Sequence, residues 1–209
     1  MKPVSVVLIA GFFAVLTLWC QPAKATQVVG VNMSDLMQAN VAFTGTCTGA
    51  DARVMDEPGG KSKIPVTTYT FSVSSDNILK GDVPGTFSFT QLGVSRAEAR
   101  RLGTSSVMGM PSYEVGKEYT LFLTSASELG LRSTIGLGQG KFNVTTTQDG
   151  KKQVVNDRGN KGLFLNLPQT KAMSKALGTA NISAAVPPAG GPVDYDAFVK
   201  MVRELEKGE

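Results

Sequence analysis

Val66-Thr67-Thr68-Tyr69-Thr70-Phe71-Ser72-Val73-Ser74 is the stretch on which the fold reading turns. Tyr69, Phe71 and Val73 fall on one face and Thr68, Thr70, Ser72 and Ser74 on the other, the period of two of a half-buried strand. β-branched and aromatic residues dominate it, as a pleated surface with one buried side prefers. Downstream, Asp82-Val83-Pro84-Gly85 turns the chain, and Phe87-Ser88-Phe89-Thr90-Gln91-Leu92 alternates again. Upstream, Val41 to Cys47 alternates in the same way, and the polar segment Asp51 to Lys63 carries the turn signal Asp56-Glu57-Pro58-Gly59-Gly60. Glu118 to Thr124 holds Tyr119, Leu121, Phe122 and Leu123, apolar on both faces, which marks a central strand. Phe142 and Val144 share a face in the β-prone stretch Thr134 to Thr147. Gln148-Asp149-Gly150-Lys151 then reads as a hairpin turn returning through Gln153-Val154-Val155. Five or more short strands separated by polar turns predict a mainly β fold, a small barrel or sandwich. A closed barrel leaves no exposed sheet edge, which favours it for a chain without disulfides.

Helices are expected at the periphery. Ser34-Asp35-Leu36-Met37-Gln38 reads as a helical turn with Ser34 as N-cap. Ser95-Arg96-Ala97-Glu98 opens a short helix that runs to Leu102 and stops at Gly103. Residues 168–192 combine a weak helix, Thr170 to Leu177, with an Ala/Pro/Gly-rich linker from Gly178 to Pro192. Asp194 caps a closing amphipathic helix within 193–209, where Phe198, Met201, Val202 and Leu205 recur at i, i+3, i+4 and i+7. Docking of that stripe onto the β domain of 26–167 is the simplest use for it.

Residues 1–25 read as an export leader. Lys2 precedes the uncharged apolar run Val4 to Trp19, and Ala23-Lys24-Ala25 supplies a small-x-small cleavage signal. The mature chain is therefore expected to begin at Thr26, after Ala25. The run is about sixteen residues, short of the roughly 20 a spanning helix needs, so contact with a membrane is expected only during export. Leu16 to Cys20 resembles a lipobox, but Trp19 stands where that signal wants a small residue. Loss of Lys2 and Lys24 lowers the formal charge from +4 to +2, too little to attract nucleic acid. It also leaves Cys47 as the single thiol, so no internal disulfide can form and stability must come from packing. The expected location is the periplasm or the exterior.

The run Val107 to Leu123, reading Val-Met-Gly-Met-Pro-Ser-Tyr-Glu-Val-Gly-Lys-Glu-Tyr-Thr-Leu-Phe-Leu, resembles a broad family of uncharacterised exported bacterial domains. Tyr69 to Val73, Leu79-Lys80-Gly81 and Gln139 to Val144 support the resemblance. Members sometimes sit beside matrixin-type metalloproteases. The fold it implies is a small β-barrel of the OB type, like that of tissue inhibitors of metalloproteases. Those inhibitors chelate the protease zinc through an N-terminal cysteine, and Thr26 takes that place here.

The chain has no histidine, which removes the commonest general base, zinc ligand and low-pH switch together. No Ser-His or Cys-His pair can exist, and neither a Gly-x-Ser-x-Gly elbow nor a Ser-x-x-Lys pattern is present. Cys47, in a strand-like stretch, is expected to be a buried, inert thiol. Gly136-Leu137-Gly138-Gln139-Gly140-Lys141 superficially resembles a phosphate loop, but Phe142 stands where Ser or Thr is required and strand formers follow. The glycines are read instead as a strand bend or bulge. Asp56, Glu57, Asp82, Asp149, Asp157, Asp194 and Asp196 could pair for glycoside cleavage, but each sits beside Gly or Pro or at a helix start, where turns and caps explain it. No spaced calcium loop is present. Arg96, Arg100 and Arg101 cluster on the short helix as a solvated face. Asn32, Asn143 and Asn181 each begin a glycosylation sequon.

These readings lead to an exported, non-catalytic binding module that needs no cofactor and takes an unidentified protein or envelope polymer as partner. The expected contact surface is a strand face and its loops: Tyr113, Tyr119, Gly136, Gly138, Gln139, Gly140, Lys141 and Phe142. Occlusion of a protease and a carboxylate-based hydrolase are the alternatives.

Overall fold

β1 (Val41–Asp56) is a sixteen-residue strand that joins two halves of one sheet. Its first half pairs antiparallel with β5 (Glu118–Leu123) on one side and with β3 (Ile78–Lys80) on the other. Its second half pairs antiparallel with β2 (Lys63–Ser72), from Thr46 opposite Ser72 out to Asp56 opposite Lys63. Thr48 is an extra residue between the Cys47–Phe71 and Gly49–Thr70 pairs, and such a bulge bends and twists a strand. Just before it, a Cβ at Gly45 would lie 2.9 Å from the Ser72 carbonyl oxygen, so only glycine lets the two backbones approach. The computed structural model describes residues 30–60, 62–107, 109–167, 170–178 and 189–208. The expected leader, its Ala25–Thr26 cleavage point and residues 179–188 of the expected linker lie outside the described residues.

β4 (Thr86–Leu92), β6 (Lys141–Thr146), β7 (Lys152–Asn156) and β8 (Val193–Asp194) complete an eight-stranded antiparallel sheet in the order β4-β2-β1-β5-β6-β7-β8, with β3 alongside β1. Four helices accompany it among the described residues: α1 (Met33–Met37), α2 (Arg96–Leu102), α3 (Lys171–Leu177) and α4 (Tyr195–Lys207). Asn32, not Ser34, caps α1. Its side chain accepts from Asp35 N at 3.1 Å while the Asp35 carboxylate accepts from Asn32 N at 2.9 Å, a reciprocal pair Ser34 is placed too late to make. Ser95, Thr170 and Asp194 cap the other three as their sequence positions suggest.

The sheet is not a closed barrel, and the OB-type barrel expected from the sequence is overturned. β4 and β8 are its two ends and do not pair with each other. Among the described residues, β4 meets beyond β2 only one isolated parallel bridge, Thr90 to Leu131. The fold is mixed α and β. The edge argument for closure fails because the edges are guarded by other means: β8 is two residues long and runs straight into α4, and Arg132 N caps Thr90 O at 2.8 Å on β4. The segment read as polar from Asp51 is strand as far as Asp56, in full register with β2, and the turn begins at Glu57.

Alternation sorts the side chains onto two cores. Val41, Phe43, Tyr69, Phe71, Phe87, Phe89, Tyr113, Tyr119, Leu121 and Leu123 fill one, with Tyr69 opposite Phe89 and Phe71 opposite Phe87 across the β2–β4 ladder. Ala42, Phe122, Phe142 and Val154 face the other, where α1, α3 and α4 cover them with Leu36, Met37, Met173, Phe198, Met201 and Val202. Phe198 is fully buried, 4.8 Å centroid to centroid from Phe142 and 6.3 Å from Phe122. The α4 stripe thus docks on the sheet rather than standing free. Phe198→Ala is expected to cost about 3–5 kcal/mol, as for other buried aromatics, seen in urea unfolding as a lower midpoint at nearly constant slope. A loss near that of a surface substitution would show that α4 does not seal this face.

Candidate functional site

The residues expected to form an external contact face lie mostly inside. Tyr113, Tyr119, Gln139, Gly140, Lys141 and Phe142 are buried, and Gly136 and Gly138 are half-buried. Gly136 to Gly140 form a tight turn that leads directly into β6, with no helix following. A Cβ on Gly138 would fall 2.8 Å from an Asp157 carboxylate oxygen, so this glycine admits the carboxylate. Gln139 Oε1 accepts from Val31 N at 2.9 Å, tying the chain before α1 to this turn.

Lys141 is only 7 % exposed. Its Nζ donates to Ser112 O at 3.1 Å, pairs with Asp157 Oδ1 at 3.2 Å, and lies 5.8 and 5.6 Å from the ring centroids of Tyr113 and Tyr119. A buried ammonium needs such partners, and carboxylate, carbonyl and two aromatic faces together supply them. Lys141 is therefore an internal brace holding the segment before β5 against β6.

A cavity of about 430 Å³ opens beside the aromatic core, with Tyr69 and Ser112 in its wall. Tyr69, Gln91, Val94, Arg96, Val107 and Met110 are among its lining residues. Gln91 extends the inward parity of Phe87 and Phe89, so β4 places an amide where the pattern calls for a third apolar side chain. Gln91 Nε2 donates to Pro111 O at 2.7 Å, and because a carbonyl can only accept, this bond fixes which end of the amide is which. Its Oε1 is buried and has no hydrogen-bond partner. At the rim, Arg96 is exposed and makes no ion pair among the described residues, since the neighbouring Glu98 is held by Arg101 at 2.6 Å. The sequence had offered Arg96 as part of a solvated face. Gln91, Val107 and Met110 went unnoticed as site residues, although a polar residue at the inward parity of an aromatic strand was a visible signal.

The other candidates have structural employment. Cys47 is fully buried, burial pushes its thiol up, and the thiol donates to Gly49 O at 3.5 Å. Asp56 pairs with Lys63 at 2.8 Å, Asp157 with Lys141, and Asp149 accepts from the Thr147 hydroxyl, which holds its carboxyl low. Asp194 caps α4 through Ala197 N at 2.9 Å, with Asp196 in the first turn. Asp82 sits in the β3–β4 connection and Glu57 in the β1–β2 turn. Among the described residues no group of three or more acidic or cysteine side chains could hold a metal, and no helix is long and apolar enough to cross a membrane.

No protein-family model, curated protein or solved structure matches the chain. Together with the open sheet, this overturns the resemblance to the exported OB-type family. The described part of the run that carried it, Val107 and Gly109 to Leu123, is a loop, a turn and one strand. Such a short pattern follows from half-burial and turn formation alone and does not specify the pairing of distant strands.

Tyr113 is the second buried group without a hydrogen-bond partner. The Thr134 hydroxyl opposes the effect of burial on its phenol but commits its own proton to Leu137 O at 2.7 Å. Burial is the largest cause raising the phenols of Tyr69, Tyr113, Tyr119 and Tyr195, Tyr113 furthest. In the unfolded chain these groups ionise near pH ~10, so the folded state keeps protons that the unfolded state has lost. Stability is fully present below that pH and falls as pH rises through it. Phenolate absorbance should therefore appear in one steep step together with loss of near-ultraviolet circular dichroism. A gradual titration of all four tyrosines at the ordinary pH in a still-folded protein would contradict their burial.

Proposed function

We propose that this chain is an exported, non-catalytic binding module that takes its ligand in the cavity between the end of β4, α2 and the loop before β5. The observation that carries the reading is a cavity of about 430 Å³ whose lining includes Gln91, a buried amide with an unpaired oxygen, and the exposed cation Arg96. Leaving such a group unpaired costs about 1–3 kcal/mol, and native proteins do so seldom. The volume falls within the usual range of small-molecule sites, and the lining mixes apolar Val94, Val107 and Met110 with polar Ser95, Ser106 and Ser112.

Export is supported by the leader-like composition of residues 1–25 and places the module in the periplasm or outside the cell. The absence of histidine and the structural duties of most of the acids considered for hydrolysis favour binding over catalysis.

Thermal unfolding of the purified protein against short peptides and oligosaccharides tests the reading. A ligand at 100 times its Kd adds about 2.7 kcal/mol, roughly 5–10 °C in Tm for a domain of this size. At least one class should produce such a shift, and Val107→Trp, which fills the cavity from the loop side, should abolish it. Absence of any shift, or a shift that survives Val107→Trp, would refute a ligand site in this cavity.

A further inference from the structure

We propose that the second half of β1 is an interface on which two copies of this chain pair edge to edge. β5 runs alongside the first half of β1 as far as Thr46, and Cys47 still exchanges hydrogen bonds with Lys117 O and Gly116 N. From Thr48 to Asp56, β1 has β2 on one side and no strand on the other among the described residues. In an antiparallel pair every second residue turns both its N–H and its C=O away from the partner strand. Ala52 is one of these, since its carbonyl accepts from Arg101 at 3.2 Å instead of from β2. Pro65, opposite Val54, agrees: it has no N–H to offer and gives its carbonyl to Gly93 on the far side. Ala50, Val54 and Asp56 share the parity of Ala52, and the N–H groups of all four make no hydrogen bond among the described residues. A bare edge of this length is a template for another extended chain.

A second copy is the partner because the edge is complementary to itself. Ala52 is the middle of the free stretch, so a two-fold axis there sets Thr48 against the second copy's Asp56 and covers the edge from end to end. The same axis sets Asp51 opposite the second copy's Arg53, and Arg53 opposite its Asp51. These fall at the non-hydrogen-bonded pairs, where facing side chains stand closest. Both residues are exposed, and neither makes an ion pair among the described residues. Sliding one copy by two residues either way would set Asp51 against Asp51 or Arg53 against Arg53, and like charges directly opposite are destabilising. Length and charge therefore select one register. On the other face that register aligns Ala52 with Ala52 and Ala50 with Val54, side chains small enough for the backbones to reach ladder spacing. Arg101 is exposed and already paired with Glu98 at 2.6 Å, so it can yield Ala52 O to the incoming N–H.

Sedimentation equilibrium of the purified full chain, from micromolar to millimolar concentration, reads the association directly. A concentration-dependent equilibrium between one chain and two is expected. Asp51→Arg and Arg53→Asp, both at exposed positions, should each weaken the dimer roughly tenfold or more, because each sets like charges opposite one another twice. An equimolar mixture of the two variants should restore it, since one chain then presents two cations to two anions on the other. Ala52→Pro should abolish it by removing an N–H that the single chain does not use. If Ala52→Pro fails to fold, the mixing of the charge variants still decides. The mass of one chain at every concentration overturns the proposal. So does a dimer that both charge variants retain, and so does a loss that their mixture fails to repair.

Discussion

Burial of β5 on both faces is the constraint around which this molecule is arranged. Tyr119, Leu121 and Leu123 point into the aromatic core, and Phe122 points into the core beneath α4. A six-residue strand with two apolar faces must have cover on each side, so a single sheet with one solvated face would not suffice. The helices cover one side. On the other, β1 bends at Gly45 and Thr48 and carries β2 and β4 round so that their aromatic residues close over it. The one polar residue at the centre, Thr120, is satisfied by Thr44 through a hydroxyl pair at 2.8 Å. Such pairing is what allows a hydroxyl at zero exposure.

Among the described residues three buried side-chain atoms lack a hydrogen bond, Gln91 Oε1, Tyr113 OH and Glu206 Oε2, and of these Glu206 Oε2 is met by the Lys80 ammonium at 3.1 Å. Elsewhere the interior is careful with its polar atoms. Asn156 and Asn160 exchange backbone-to-side-chain hydrogen bonds at 2.8 and 2.9 Å, and their amides reach Gln139 O, Val154 O and Gly191 O. This network ties the loop after β7 to the chain entering β8, and every polar atom in it has work. Gln91 Oε1 and Tyr113 OH lack such partners, and Gln91 borders the cavity. A fold that satisfies its deep asparagines so fully makes an idle acceptor beside a cavity a meaningful exception. Lys141 shows the opposite case, a charge in the same neighbourhood that is fully compensated and so has a structural role.

Much of the local structure was legible. The inward sets Tyr69, Phe71 and Val73, and Phe87 and Phe89, lie on the core side because alternation reports burial directly. Gly103 and Gly178 end α2 and α3 in the left-handed conformation, and the turn at Asp149-Gly150 joins β6 to β7. The site was less legible. Tyr113, Tyr119 and Lys141 were expected at the surface because barrels of the expected kind bind across a strand face and its loops, whereas Lys141 is in fact held inside by Ser112, far from it in the chain, and by Asp157. Gln91 was overlooked because a single amide in an alternating strand is ambiguous until its neighbours across the sheet are known.

Short-range physics settled which segments extend, which coil and where they stop, because propensity, capping and parity act within a few residues. The absence of histidine ruled out imidazole chemistry from a residue count alone. The openness of the sheet, the length of β1 through Asp56, the pairing of Val193 with Val154 and the creation of the cavity were decided only in three dimensions. Each is a matter of which distant strands meet and at what register. Strand parity carries no record of that choice, because the same alternating pattern serves a closed barrel or an open sheet equally well.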